Sequence, residues 1–573
     1  MKKIFLLALA AVGLMTAVSC SDEDYTSKYA NPSKTSTVGV PQVFTGVLKA
    51  GNSWMNPMYY RYYTQSPSEG MFAGIIGTQN GRGRYRGAGE GCFNTHWRDF
   101  YNQFTQYRLL EDTYNNLPDD QKTANKVFYL LGRTAAEAQV HEMLSIFGDI
   151  PFSGAGMLWK TGDYAAAKAA VSYDDDIEVY KQILTDLKEV GDFFANEGVD
   201  GNIQKALERQ DFTAANGNID IWRRYVNSLR LRIALHLATN GDLTATAHAA
   251  IKEILENPSK YPVIETNDQN QGVNGDTQTD DFNFGKSIAQ ALAGRSEGSG
   301  SKAMLDAMNV PANGIPDANT DPRLAAVYDC NPDGEYIAYD NSLTESQISD
   351  IAEKKNKEYL DRSDNKMIAN YYCYIDSVAF AGHATYQGNA NLNGVWINAA
   401  EVELSMAEAY LMGYGIAKND AVAKAHFVKG VVLSEEYYWN MKTTSSLYVA
   451  GNDSYKGFRA LVVPTAEDFE AYANKIWDGS QKVVATQLWL NFGFMNETEA
   501  WNVVRRTGFP TVKFARDTQE ASYPTPPDRL PYPSDESNYN KSNYDVAVAK
   551  NYSDKTGFYG KLFWAKANYY SLY

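Results

Sequence analysis

Arg82, Arg84, Tyr85 and Arg86, followed by Asn94, His96 and Trp97, place planar cationic and amide groups beside flat aromatic rings in one short stretch. A guanidinium or amide offers paired polar atoms in one plane, and an aromatic face packs against the apolar face of a partly polar ring. Together they suit a hydroxyl-rich ligand such as a sugar, with Arg84, Tyr85 and Trp97 as one wall of a site. A second aromatic group, Tyr371, Tyr374, Tyr386 and Trp396, lies just ahead of a helical segment near Ala399 and is a candidate second wall. Each residue has a competing reading. Trp97, Tyr101 and Phe104 recur at helical spacing, the pattern of a packed helix face, Arg84 and Tyr85 also fit a solvated loop, and the later aromatics suit packing or a partner contact equally.

Catalytic and metal motifs are weaker. Gly294-Arg295-Ser296-Glu297-Gly298 matches G-x-S-x-G, but that elbow works only between a buried strand and a helix, whereas Ser287–Ala293 reads as helical. Asp329, Asn331, Asp333 and Asp340 approach the alternating oxygens of a calcium loop, with Pro332 and a short final Asp against it. Structural calcium is therefore the only cofactor considered, and no metal ligand is assigned. Six histidines form no ligand-spaced pair, and no acidic couple singles itself out for glycoside hydrolysis. No catalytic residue is named, and a binding protein is expected in place of an enzyme.

The elements that must position these groups are helices. Val127, Leu130, Leu131, Ala135 and Ala138 fall at helical spacing within 123–147, and Gly148 to Pro151 supply the stop. Comparable periods run over 222–237, 401–412, 177–194 and 247–255, giving helix pairs joined by loops and an all-α core. Residues 262–300 and 310–400 are dense in Asn, Asp, Gly and Tyr and read as long loops with short strands, where ligand-binding side chains stay available. The net charge of −16 disfavours a nucleic-acid partner. Aromatic residues make up 13% of the chain, which leans toward a surface that grips partly polar ligands or partners.

Six segments in order carry a family resemblance. Phe147-Gly148-Asp149-Ile150-Pro151-Phe152 resembles the "fGDvPy" words of the SusD/RagB family of outer-membrane nutrient-binding lipoproteins. Trp222–Ala234, Asp321–Leu324, Ala400–Ala409, Trp501–Pro510 and Arg529–Pro533 resemble further family words. The resemblance implies four tetratricopeptide-like helix pairs with a loop-rich, irregular part that carries the ligand site. It also implies loops ahead of the helix near Ala399 on the ligand face, and a lid over a SusC-like TonB-dependent transporter. Val140-His141-Glu142 departs from many relatives and points to a divergent branch. Glycan capture is the leading expectation, with peptide capture as in the RagB branch and a surface glycoside hydrolase as alternatives.

The amino end fits that setting. Two lysines precede an apolar run from Ile4 to Val18, too short to span a bilayer comfortably, and Cys20 follows Ala17-Val18-Ser19 as in a lipobox. Residues 1–19 are read as a lipoprotein signal peptide, 20–40 as a lipidated tether and 41–573 as the nutrient-binding domain, anchored at the outer-membrane surface through Cys20. Each buried acyl methylene contributes about 0.8 kcal/mol, so more than one chain on Cys20 would anchor stably. Cys20→Ala should move the protein from the membrane pellet to the soluble fraction, and continued retention in the pellet would contradict the lipid anchor.

Overall fold

The computed structural model describes residues 38–77, 84–166, 171–292, 298–361, 371–380, 388–452, 459–566 and 569–573. Cys20, Arg82, the G-x-S-x-G segment up to Glu297, and Tyr386 lie outside the described residues.

Helix boundaries follow the capping chemistry of the sequence. The helices that matter below are α1 (Val40–Ala50), α2 (Tyr59–Gln65), α3 (Glu90–Asn115), α4 (Asp119–Phe147), α5 (Asp176–Asn196), α6 (Ile219–Leu237), α7 (Thr244–Glu256), α8 (Phe284–Leu292), α9 (Ala399–Met412), α10 (Asp420–Thr443), α11 (Ala466–Ile476), α12 (Gln481–Phe492) and α13 (Glu497–Thr507). Asn218 and Asn398 start α6 and α9 by accepting backbone N–H groups of the first turn, and Thr465 with Asp468 forms a reciprocal capping box on α11. Gly413 and Gly508 end α9 and α13 in the left-handed region. Four pairs, α3 with α4, α6 with α7, α9 with α10 and α12 with α13, pack through short connections into a tetratricopeptide-like helical body. All contribute to one continuous hydrophobic core.

The strands are short ladders that pin loops to this body. Among the described residues β1 (Ile150–Pro151) pairs with β2 (Tyr173–Asp174), β3 (Gln271–Val273) with β6 (Gly394–Ile397) and β4 (Tyr328–Asp329) with β5 (Tyr374–Ile375), all antiparallel. β7 (Val512–Phe514) runs parallel to β8 (Tyr570–Leu572). The expected helices all form, and the loop-rich stretches hold the expected short strands. They also hold a long helix that periodicity did not signal, Glu345–Asp361, whose described side chains are mostly solvent-exposed or half-buried, so it carries no broad apolar stripe.

Buried ion pairs join the helix pairs to the loops. Arg232 on α6 donates two bonds to Glu401 on α9, at 2.5 and 2.6 Å, and a third to the Trp396 carbonyl of β6 at 2.7 Å. Arg506 on α13 grips both oxygens of Glu408 on α9 at 2.7 and 2.6 Å. Lys442 meets Asp376, and Arg323 meets Asp321, with all four side chains buried. Such pairs recover their desolvation cost only when every polar end is satisfied, so removing one member is far more damaging than a surface change.

Burial raises the Glu401 carboxyl above its ordinary range, and the adjacent Arg232 pulls it back down. Without Arg232 that carboxyl rises further. A raised folded-state value gives stability that is complete in acid and lost as pH climbs through it. Arg232→Ala should therefore cost about 3–5 kcal/mol at neutral pH and less near pH 5. Urea denaturation of both proteins at the two pH values measures this, and equal midpoints at neutral pH would contradict it.

Candidate functional site

Of the residues nominated by the sequence, Arg84, Tyr85, Trp97, Tyr374 and Trp396 are placed in the interior, whereas Arg86 is exposed. Arg84 is buried, its backbone N–H donating to Asp517 Oδ2 at 3.0 Å and its guanidinium to the Asn341 carbonyl at 3.1 Å. Tyr85 is fully buried; its hydroxyl donates to the Ala515 carbonyl at 2.5 Å and its ring meets Phe514 edge-on. Trp97 packs among Tyr101, Phe147, Tyr173 and Tyr532. In β5, Tyr374 donates to the Leu292 carbonyl at 2.8 Å. In β6, Trp396 lies against Trp222 and Tyr225, and its indole N–H donates to Asn56 Oδ1 at 3.1 Å. These side chains are buried against the protein itself, so in this conformation Arg84, Tyr85, Trp97, Tyr374 and Trp396 form no ligand wall. The two groups expected to face one another are not brought together at a surface.

The calcium reading fails on geometry. Asp329 lies in β4, where burial and then the neighbouring Asp376 push its carboxyl well above the ordinary range, while Asp340 accepts from Ser342 N–H and Oγ at 2.9 and 2.6 Å. The acids serve separate partners, no EF-hand helix pair flanks them, and no group of three or more His, Cys, Asp or Glu could hold a metal among the described residues.

What the fold does build is an amide-lined groove of about 600 Å³. Its floor is the β3–β6 ladder, with Gly272, Gly394 and Val395. One wall is the short turn at Asn267–Gln269 with Asn270, the other is α10 through Glu436, Tyr437, Asn440 and Met441 with its C-cap Thr444, and the rim carries Asn274, Asn391 and Asn393. The α10 positions recur at one, four, five and eight residues from Glu436, one face of a helix. A side chain at Gly272 would put a Cβ 1.9 Å from the Gly394 carbonyl oxygen, so the floor exists only because both chains there are bare backbone.

Asn267 and Asn270 are closed at both ends, Asn270 Nδ2 donating to Asn267 Oδ1 at 3.2 Å, whereas Asn391 and Asn393 are fixed at one end. Asn267 Nδ2 donates to the Leu433 carbonyl of α10 at 3.0 Å, hooking the turn onto the helix, and Asn270 Oδ1 accepts from Ala399 N–H at 2.8 Å, tying the same wall to the start of α9. Asn391 Nδ2 donates to the Thr444 carbonyl at 2.7 Å and Asn393 Oδ1 accepts from Gly275 N–H at 2.9 Å. This leaves Asn391 Oδ1, Asn393 Nδ2 and the whole amides of Asn274 and Asn440 without a protein partner among the described residues. Oriented amides with one open end, beside the Tyr437 ring, can donate to and accept from hydroxyls at the same time. Partial burial also raises the Glu436 carboxyl above its ordinary range.

Just past the floor, Trp396 and Gly394 rest on Asn56, and two residues after Pro57 helix α2 begins. There Tyr59 stacks on Tyr63 with centroids 5.4 Å apart and meets Tyr60 edge-on, and Tyr60 is 54% exposed. Neither the Tyr437 wall nor this trio was nominated from sequence. The Asn-dense stretches 262–300 and 310–400 did signal part of the groove, whereas the α10 wall gave no signal because Asn440 and Glu436 look like any solvated helix face.

Trp97→Ala should lower stability by about 3–5 kcal/mol in urea denaturation, the cost of emptying a buried indole site. Unchanged stability with a selective loss of ligand binding would return Trp97 to a ligand wall.

Comparison with known proteins bears on this arrangement. The chain matches, over residues 51–533, the SusD-like family described as starch-binding and associating with the outer membrane. A solved chitin-binding protein is similar at 19% identity and TM-score 0.67, with 91% of this chain and 100% of that one covered. A chitin-binding SusD homologue from Flavobacterium johnsoniae is similar at 18% and 0.61 over 91% and 98%, and a SusD homologue from Bacteroides thetaiotaomicron at 18% and 0.60 over 93% and 100%. No functionally curated protein matches.

Proposed function

The chain belongs to the SusD-like family, and on that premise we propose that it is a cell-surface lipoprotein that binds an oligosaccharide in the amide-lined groove and passes it, unaltered, to a SusC-like TonB-dependent transporter. The observation that carries this reading is the groove itself. It is large enough for several sugar units, and its rim presents Asn391 and Asn393 amides held at one end, with the free amides of Asn274 and Asn440 beside them to meet hydroxyls in either hydrogen-bonding sense. The family's association with the outer membrane and the lipobox-like start support the location. Among the described residues no helix is long and apolar enough to cross a membrane, which is compatible with an anchor at residue 20. Binding without chemistry is the reading because the amides and the Tyr437 ring supply recognition.

The first ligands to try are chitin and starch oligosaccharides, since chitin is named for two similar structures and starch for the family. Retention on a glycan column with no change in chain length supports binding, whereas shortened product chains would replace it with a hydrolase. Retention of peptides but not glycans would favour peptide capture. Each lost amide bond should weaken binding by about 1 kcal/mol, roughly fivefold. Asn440→Ala and Asn274→Ala, measured by calorimetry against the retained oligosaccharide, should each show that loss with an unchanged melting temperature. Full affinity in both variants would remove the groove from the account.

A further inference from the structure

The charge of the groove sets a second property that its amides alone do not. Among the described residues that line it there is no Lys, Arg or His, and the only ionisable acids are Asp268 and Glu436. They stand on opposite walls at the place where the walls join. Asp268 follows Asn267, whose amide is hooked to the Leu433 carbonyl, and Glu436 lies one helical turn beyond Leu433 on the same face of α10. Both side chains are exposed to the groove's solvent, and neither is tied up in an ion pair among the described residues.

This is not the only balance the fold allows. A second cavity, of about 530 Å³, carries Lys302, Lys482 and Lys513 on its rim together with Asp306 and Asp340. Cations are therefore available to line a cavity in this protein, and none is found among the described residues that line the amide groove. A ligand carboxylate or sulfate entering the groove would lose water, meet two carboxylates and find no cation, a combination that is repulsive at short range and poorly screened in a concave site. A hydroxyl or acetamido group meets no such penalty, and an ammonium group would be attracted.

We propose that Asp268 and Glu436 act as a charge filter, so that the groove admits neutral and amine-bearing saccharides and rejects uronic or sulfated chains. The filter rests on the glycan reading of the same groove. It makes the two acids specificity-determining residues that contribute little to a neutral ligand, whose bonds go to the amides.

Three ligands of equal length test it by calorimetry at low salt: a neutral oligosaccharide, its partly N-deacetylated counterpart and an oligouronate. The neutral and amine-bearing chains should bind, the latter at least threefold tighter, and the oligouronate should bind at least tenfold more weakly than the neutral chain. In the double variant Asp268→Asn, Glu436→Gln the amine advantage over the neutral chain should vanish and the oligouronate should gain at least fivefold relative to the neutral chain. An oligouronate that binds wild type as tightly as the neutral chain overturns the filter and leaves the glycan reading standing. An oligouronate still rejected to the same degree by the double variant removes Asp268 and Glu436 from the role and assigns rejection to the overall charge of −16. No binding of any of the three overturns the glycan reading and the filter with it.

Discussion

One guanidinium holds the amide-lined groove to the scaffold. Arg232 leaves α6, takes both oxygens of Glu401 at the start of α9 and donates its remaining bond to the Trp396 carbonyl in the floor strand. Two helix pairs and the β6 strand are thereby fixed to one planar group. A bidentate contact of this kind sets orientation as well as distance, which a lysine ammonium would not. Once β6 is fixed, its pairing with β3 brings Gly272 against Gly394, and the amides of Asn270 and Asn393 are held by bonds to Ala399 and Gly275. The rigidity of the recognition surface thus descends from a buried ion pair in the helical body. That is the arrangement expected when a site must be preset before its ligand arrives.

The abundance of aromatic side chains has a largely structural explanation. A body built from helix pairs needs large side chains to fill the gaps between crossing helices, and Tyr and Trp carry a polar tip that must find a partner when buried. Here the tips reach backbone carbonyls: Tyr85 to Ala515, Trp489 to Ala73, Trp439 to Pro322 and Tyr438 to Asn491. They tie loops and helices to one another through atoms that every residue possesses. Arg505 extends the same logic, its guanidinium lying 3.4 Å from the Trp501 ring centroid and 4.9 Å from that of Trp564. With no carboxylate directly beside it, burial lowers this arginine to about 9.

The helical body was legible because its signals are local. Asn218, Asn398, Gly413 and Gly508 sit at the ends of apolar periods, and those periods locate α4, α6 and α9 to within a few residues. The Glu345–Asp361 helix was not legible because its face is polar. The burial of the nominated residues was not legible for a different reason. An aromatic beside an arginine reads the same whether it stacks on a sugar or on Phe514, and only burial separates the two. The groove was half legible. Its loops stood out by their asparagines, but joining residues 267–274 to 391–395 and then to α10 depends on the register of a three-residue ladder and one amide hook, neither of which leaves a trace in composition.

The central claim is that the ligand occupies the groove between the Asn267 turn, the β3–β6 floor and α10. Hydrogen–deuterium exchange with and without a bound oligosaccharide addresses it directly. The account requires slowed exchange in 267–274, 391–395 and 436–444, with little change over α3 and α4. Protection confined to other segments, with those three unchanged, would contradict it.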